Sequence, residues 1–246
     1  MNLLDKIKNG EMEHSLPRDG VVNETYITDD YVVQVPMEGN EDKWRKNLFL
    51  TKELNRKGVP VPEVLEVNND PLYAAYERIE GPTLKDREEF SDEEYLEAVR
   101  NAGKALGMIH SQKVEGYGKP LPKKDFMEAE YDDWHDFVKE YIQGSLNYVE
   151  RDLFRETVER AAELVKTEDL PRKPEPRILH MDYTPDNILV SSDLSVHVID
   201  FEGALYGDPD LDLMYAELIA SKRGEEAVKA FMNGYQDSRD IDLSDN

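Results

Sequence analysis

The stretch Ile178-Leu-His-Met-Asp-Tyr-Thr-Pro-Asp-Asn-Ile-Leu-Val190, continuing Ser191-Ser-Asp-Leu-Ser-Val-His-Val-Ile-Asp-Phe201, decides how this chain is read. Two short apolar runs, Ile188 to Val190 and Val196 to Ile199, flank Ser191-Ser192-Asp193 and predict a β-hairpin. A hairpin brings whatever precedes its first strand beside whatever follows its second. Asp182 and Asn187 therefore share one loop at its open end, and Asp200 returns to that end.

His180, Asp182 and Asn187 stand in an H-x-D-x-x-x-x-N spacing, and Asp200 adjoins Phe201. The residue types suit phosphoryl transfer. That reaction needs a carboxylate to orient and deprotonate an attacking hydroxyl, and oxygen ligands that hold Mg2+ against nucleotide phosphates. Asp182 fits the first role; Asn187 and Asp200 fit the second. A lone H-x-D would carry little weight, because buried His and Asp residues often do no more than pin loops.

The full constellation resembles the catalytic loop and metal-binding aspartate of the protein-kinase-like superfamily. Asp200-Phe201-Glu202, with Gly207-Asp208-Pro209 and Asp212 after it, is similar to the aminoglycoside phosphotransferase and choline kinase branch. The resemblance implies an α+β, bilobal fold: a small antiparallel sheet with one helix (residues 1–80), then a larger, mainly helical lobe (residues 81–246). It also implies loop-supporting roles for His180 and Asp212, and ATP as co-substrate.

Composition bounds the alternatives. A length of 246 residues suits one unit or two small lobes. The 54 acidic residues against 30 basic ones give a net charge of −24, which argues against broad contact with nucleic acid or anionic lipid and favours cationic ligands. Zero cysteines exclude disulfides, thiolate metal sites and cysteine nucleophiles. No apolar run has membrane-spanning length and the first ten residues are too charged for a secretory signal, so a cytoplasmic protein is expected.

Before Leu16 the pattern supports only a short helix or a loose lead-in. Gly20 to Thr28 and Tyr31 to Val35 then read as strands around an Asp29-Asp30 turn. Gly20, Asn23 and Thr25 resemble the family's phosphate-covering loop, where a missing side chain lets backbone amides approach phosphate. The family places a cation in the second strand and a glutamate on the next helix. Here the matching positions are Gln34 and Asn47, with Glu53 as a substitute nearer the helix end. Losing both charges leaves a neutral pair that can still hydrogen-bond.

Asn40 is expected to cap a helix from Glu41 to Lys57, with Trp44, Leu48 and Thr51 or Leu54 facing inward and Gly58 closing it. Val64 to Val67 and Leu72 to Ile79 read as strands. Glu77 to Gly81 resembles the hinge whose backbone pairs with adenine, which makes Glu77 and Ile79 candidate ATP contacts.

Ser91 and Glu94 form a capping box for a helix that places Tyr95, Val99, Ala102, Leu106 and Ile109 on one stripe. His110, at its end, reads as a packing residue rather than a ligand. Gly116 to Pro122 reads as a loop. Helical patterns follow over Asp132 to Tyr148, with Trp134, Val138, Tyr141 and Ile142 inward, and over Arg151 to Val165, Asp210 to Ala220 and Glu225 to Tyr235.

The expected function is Mg2+-assisted transfer of a γ-phosphate from ATP to a hydroxyl of a small molecule, a cationic one being favoured by the acidic balance, with Asp182 as base. Glu202, Asp132 and Asp133 are acids near the site, the last two readable as solvated surface. The alternative, favoured by Gln34 and Asn47, is a weak or inactive nucleotide-binding regulator. A protein kinase is disfavoured, since no peptide-docking segment fits between Asp200 and Asp212. Oligomeric state and acceptor identity are left open.

Overall fold

The computed structural model describes residues 2–15, 22–123, 126–148, 173–221 and 224–238. The expected helix over Arg151 to Val165, Gly20 and the last residues of the acidic tail lie outside them. The α+β, two-part architecture is present. A four-stranded antiparallel sheet, ordered β1-β2-β4-β3, contains β1 (Asn23–Ile27), β2 (Tyr31–Pro36), β3 (Val64–Asn69) and β4 (Leu72–Glu77). Thr25 pairs with Gln34, and Gln34 with Ala74, so Gln34 lies on an interior strand. Helix α1 (Leu3–Lys8), opened by an Asn2–Asp5 capping box, packs Leu4 and Ile7 onto Val33, Tyr73 and Ala75 of this sheet.

Helix α2 (Glu41–Arg56) joins the two parts. Trp44 packs against Ala74 and Tyr76 of the sheet, whereas Leu50 and Leu54 enter the main core with Leu106, Ile188 and Val198. Asn40 precedes the helix but its side chain makes no capping bond. Closure is as expected: Gly58 takes φ +77, and its amide and that of Val59 satisfy the Asn55 and Leu54 carbonyls.

Helix α3 (Asp92–His110) is the axis of the larger part, and the Ser91–Glu94 capping box opens it. Its whole predicted stripe is buried. It packs in backbone contact with the last described helix, α6 (Glu225–Ser238): a Cβ on Gly103 would lie 2.0 Å from the Phe231 carbonyl oxygen, and one on Gly234 1.9 Å from that of Arg100.

Gly116 to Pro122 is not a loop. It contributes β5 (Tyr117–Pro122), the second strand of a sheet ordered β6-β5-β10-β7 with β6 (Met127–Tyr131), β10 (Leu205–Gly207) and β7 (Arg177–Leu179). Pairing with β6 slips between Tyr117 and Pro120, after which Pro120 and Pro122 sit opposite Ala129 and Met127; only Gly118 pairs with β10, so neither proline faces a second ladder. Helix α4 (Trp134–Tyr148) follows. Trp134 and Val138 pack inward as predicted, and Phe137, at 3% exposure, is the deeply buried residue among the described side chains of this helix; Tyr141, at 40% exposure, corrects the prediction at that position, and the side chain of Ile142 lies outside the described set. Next come the hairpin β8 (Ile188–Val190) and β9 (Val196–Val198), and helix α5 (Pro209–Ser221) after β10. Among the described residues no helix is long and apolar enough to cross a membrane.

Candidate active site

The β8–β9 hairpin does what its sequence predicts. Ile188 pairs with Val198, and one step further out the Ile199 amide donates to the Asn187 carbonyl at 3.0 Å. Asp200 thus emerges beside Asn187. Asn187 Nδ2 donates to both the Asp182 backbone oxygen and Asp182 Oδ2, each at 2.9 Å. The amide therefore closes the loop back onto the exposed carboxylate, and no described residue bonds to its Oδ1. Gly203 completes the enclosure, since a Cβ there would lie 3.9 Å from that of Asp182.

Two residues flanking this cluster hold left-handed backbone conformations unusual for non-glycine residues, Met181 (φ 65) and Asp200 (φ 69). Each is fixed by a buried partner. Asp212, wholly buried, accepts from the amides of His180 (2.5 Å) and Met181 (2.9 Å) and from His110 Nε2 (3.2 Å). Asn47 Oδ1 accepts from the Phe201 amide at 2.9 Å. The His180 ring, also buried, lies tilted against that of Phe201, with centroids 4.7 Å apart. Its Nε2 donates to the Ile199 carbonyl (3.0 Å) and its Nδ1 accepts from the Asp182 amide (3.3 Å), which assigns the tautomer. His180 is thus a loop pin, and His110, bonded to Asp212 and the Tyr235 hydroxyl, belongs to the same buried network.

Burial would raise the Asp212 pKa, but the hydrogen bond and charge of His110 and the bond from the His180 amide hold it below the usual carboxylate value. Glu202 shows the opposite balance. Burial and the neighbouring Asp200 push it up to about 7, against a short hydrogen bond from Asn23 Nδ2 and the charges of Lys43 and Lys46. Asn23, from β1, is thereby brought to the turn that follows Asp200.

Gln34 and Asn47 face each other: Asn47 Nδ2 donates to Gln34 Oε1 at 3.3 Å. Glu53 instead pairs with Arg56 at 2.9 Å on the helix surface. At the expected hinge the Glu77 amide is already bonded to the Glu63 carbonyl at 2.8 Å, whereas no described residue bonds the Ile79 amide. Asp133 accepts from the His135 amide at the start of α4, a capping role, and Asp132 is exposed, so of the three acids only Glu202 joins the cluster.

Sequence reading missed Lys46. It is 7% exposed and donates to the Ala204 carbonyl at 3.0 Å. Its signal was a lysine at i, with Leu50 and Leu54 at i+4 and i+8, on the apolar face of α2.

The fit to Mg2+ rests on donor chemistry. Among the described residues no group of three His, Cys, Asp or Glu side chains is placed to hold a metal. Asn187 Oδ1 and the Asp200 carboxylate offer two hard oxygens at one hairpin end, which suits an ion that takes one or two protein ligands and completes its shell with phosphate and water.

The chain is similar to known phosphotransferases. It is 23% identical over 180 residues to a hygromycin-B 4-O-kinase from Escherichia coli, a match covering 70% of this chain and 51% of that one, so it spans about half the relative's length. The solved streptomycin-ATP-APH(2")-IIa ternary complex superposes with a TM-score of 0.60 at 18% identity, covering 97% of this chain and 87% of that one. A thermostable aminoglycoside phosphotransferase APH(4)-Ia, in complex with AMP-PNP and hygromycin B, gives 0.63 at 20% identity, covering 94% and 86%. At such identities these structures establish the shared fold. Residues 14–243, nearly the entire chain, match the profile of the phosphotransferase enzyme family (APH), and the chain belongs to that family.

Proposed function

We propose that this chain transfers the γ-phosphate of ATP to a hydroxyl of a small, amine-bearing molecule. The observation that carries the reading is the Asp182–Asn187 pair, closed by two 2.9 Å bonds and set beside Asp200 by the hairpin register. Asp182, exposed at the loop, orients the acceptor hydroxyl and takes its proton as the oxygen bonds to the γ-phosphorus and the bond to the β-phosphate oxygen breaks, releasing ADP. Asn187 Oδ1 and Asp200 would hold Mg2+, which supplies charge neutralisation between the β- and γ-phosphates. Asp212 and His180 keep the loop in its left-handed turn. Residues 1–80 bind the nucleotide through Asn23, Gln34 and the Glu77–Ile79 segment, and residues 81–246 supply the catalytic loop. The net charge of −24 supports a cationic acceptor, as do the aminoglycosides named with its relatives.

A second reading, a nucleotide-binding regulator with little or no turnover, is favoured by one observation: the Gln34–Asn47 contact is amide to amide, with no charge to grip phosphate. ADP release from Mg-ATP, measured against a panel of amine-bearing polyols, separates the two. Acceptor-stimulated release that disappears in Asp182→Ala supports phosphotransfer. Tight Mg-ATP binding without stimulation by any acceptor supports the regulator.

A further inference from the structure

Among the described residues Lys46 is the one buried lysine or arginine, and its bond to Ala204 uses one of three N–H donors. No described residue accepts the other two. An ammonium withdrawn from water with a single hydrogen bond is costly unless an anion faces it. The surroundings make the cost larger. Burial, with repulsion from Lys119 and Lys43, pulls Lys46 down to about 8, against the attraction of Glu202 and Asp200. In a chain with 54 acids and 30 bases, the charges of Lys43 and Lys46 reach Glu202, next to Asp200, and that of Lys119 reaches Lys46. A second donor adds to this: the Tyr76 hydroxyl is buried with no partner among the described residues, and the charges of Glu202 and Asp200 reach it.

We propose that Lys46, reaching from α2, is the phosphate-binding cation of this site, replacing the one absent at Gln34. The role deepens the phosphotransfer reading and rests on its nucleotide site. Asn47, one residue on, holds Gln34 and the Phe201 amide, so the same turn of α2 carries both the charge and the braces of the cleft.

The test is binding of Mg-ATP and of adenosine, which lacks phosphates, by the unmodified chain, by Lys46→Met and by Lys46→Gln. Lys46→Met is expected to weaken Mg-ATP at least about tenfold, or about 1.4 kcal/mol, with adenosine affinity unchanged. Adding Gln34→Lys to Lys46→Met should recover much of the loss. Lys46→Gln serves in the same comparison if the methionine variant does not fold. Equal loss of both ligands would show a merely structural lysine and overturn the proposal, as would Mg-ATP affinity within about twofold of the parent's. Because the readout is binding, a parent chain that binds Mg-ATP but transfers no phosphate would refute phosphotransfer and leave the role of Lys46 standing. A parent that binds no Mg-ATP would refute both.

Discussion

Replacing Asp212 should lower stability and turnover together, each by a measurable amount. Among the described residues its carboxylate is the one acceptor for the His180 and Met181 amides, and it also receives His110 Nε2, with Asp212, His110 and His180 all at 0% exposure. Asp212→Ala leaves three buried donors unsatisfied. Each costs about 1–3 kcal/mol, and because the site relaxes and water enters, the net loss should be about 3–5 kcal/mol. For a domain of this size that lowers Tm by about 10 °C. Asp212→Asn keeps the shape but turns one N–H toward a donor, and should cost about 1–3 kcal/mol. The sign of the pH dependence follows from the lowered pKa. The carboxylate's contribution is complete above its ordinary value of 3.8 and is lost as pH falls through the lower value it has in the fold. The gap between the parent and Asp212→Asn should therefore narrow in that window. Met181 would lose the bond that holds its left-handed turn, displacing Asp182, so turnover in folded Asp212→Asn should fall about 100-fold. Urea unfolding at several pH values and ADP release measure these quantities. Near-parental stability for Asp212→Ala, or full turnover in Asp212→Asn, would refute the view that this carboxylate braces the loop.

Other outcomes follow from the same geometry. Asn187→Ala removes both bonds to Asp182 and a metal oxygen; it should raise the Mg2+ concentration needed for half-maximal turnover about tenfold or more while leaving Tm within a few degrees, read by metal titration and melting. Gly103→Ala forces α3 away from α6, since its Cβ would stand 2.0 Å from a backbone oxygen; a loss of about 3 kcal/mol or more by denaturant unfolding is expected. Ser91→Ala removes the 3.2 Å cap bond from the Glu94 amide and should cost about 1 kcal/mol without changing turnover.

The chemistry-bearing stretch was legible because its geometry is local. A hairpin register is fixed by alternation and a short turn, so Asp182, Asn187 and Asp200 could be placed together from spacing alone. The α3 stripe and its capping box were legible for the same reason. What escaped depends on distant partners. The strand at Tyr117–Pro122 looks like a loop because of its prolines and glycines, and becomes a strand only when β6 and β10 flank it. Phe137 displaced Tyr141 from the interior because cluster contacts with Tyr117, Leu179 and Leu205, not period alone, select the buried face of α4. Lys46 also depends on a distant partner. Its burial exists only once α2 lies against the Phe201–Gly203 turn, a contact spanning more than 150 residues of sequence.

The central claim is that Asp182, Asn187 and Asp200 form one phosphotransfer centre. Phosphorus NMR of the unmodified chain with Mg-ATP and amine-bearing polyols tests it most directly. The account predicts a new phosphate-ester resonance on the acceptor, growing as the γ-phosphate signal decays, absent without Mg2+ and absent in Asp182→Ala. Undiminished ester formation by Asp182→Ala would contradict it, as would a parent chain that binds Mg-ATP yet yields no ester with any acceptor.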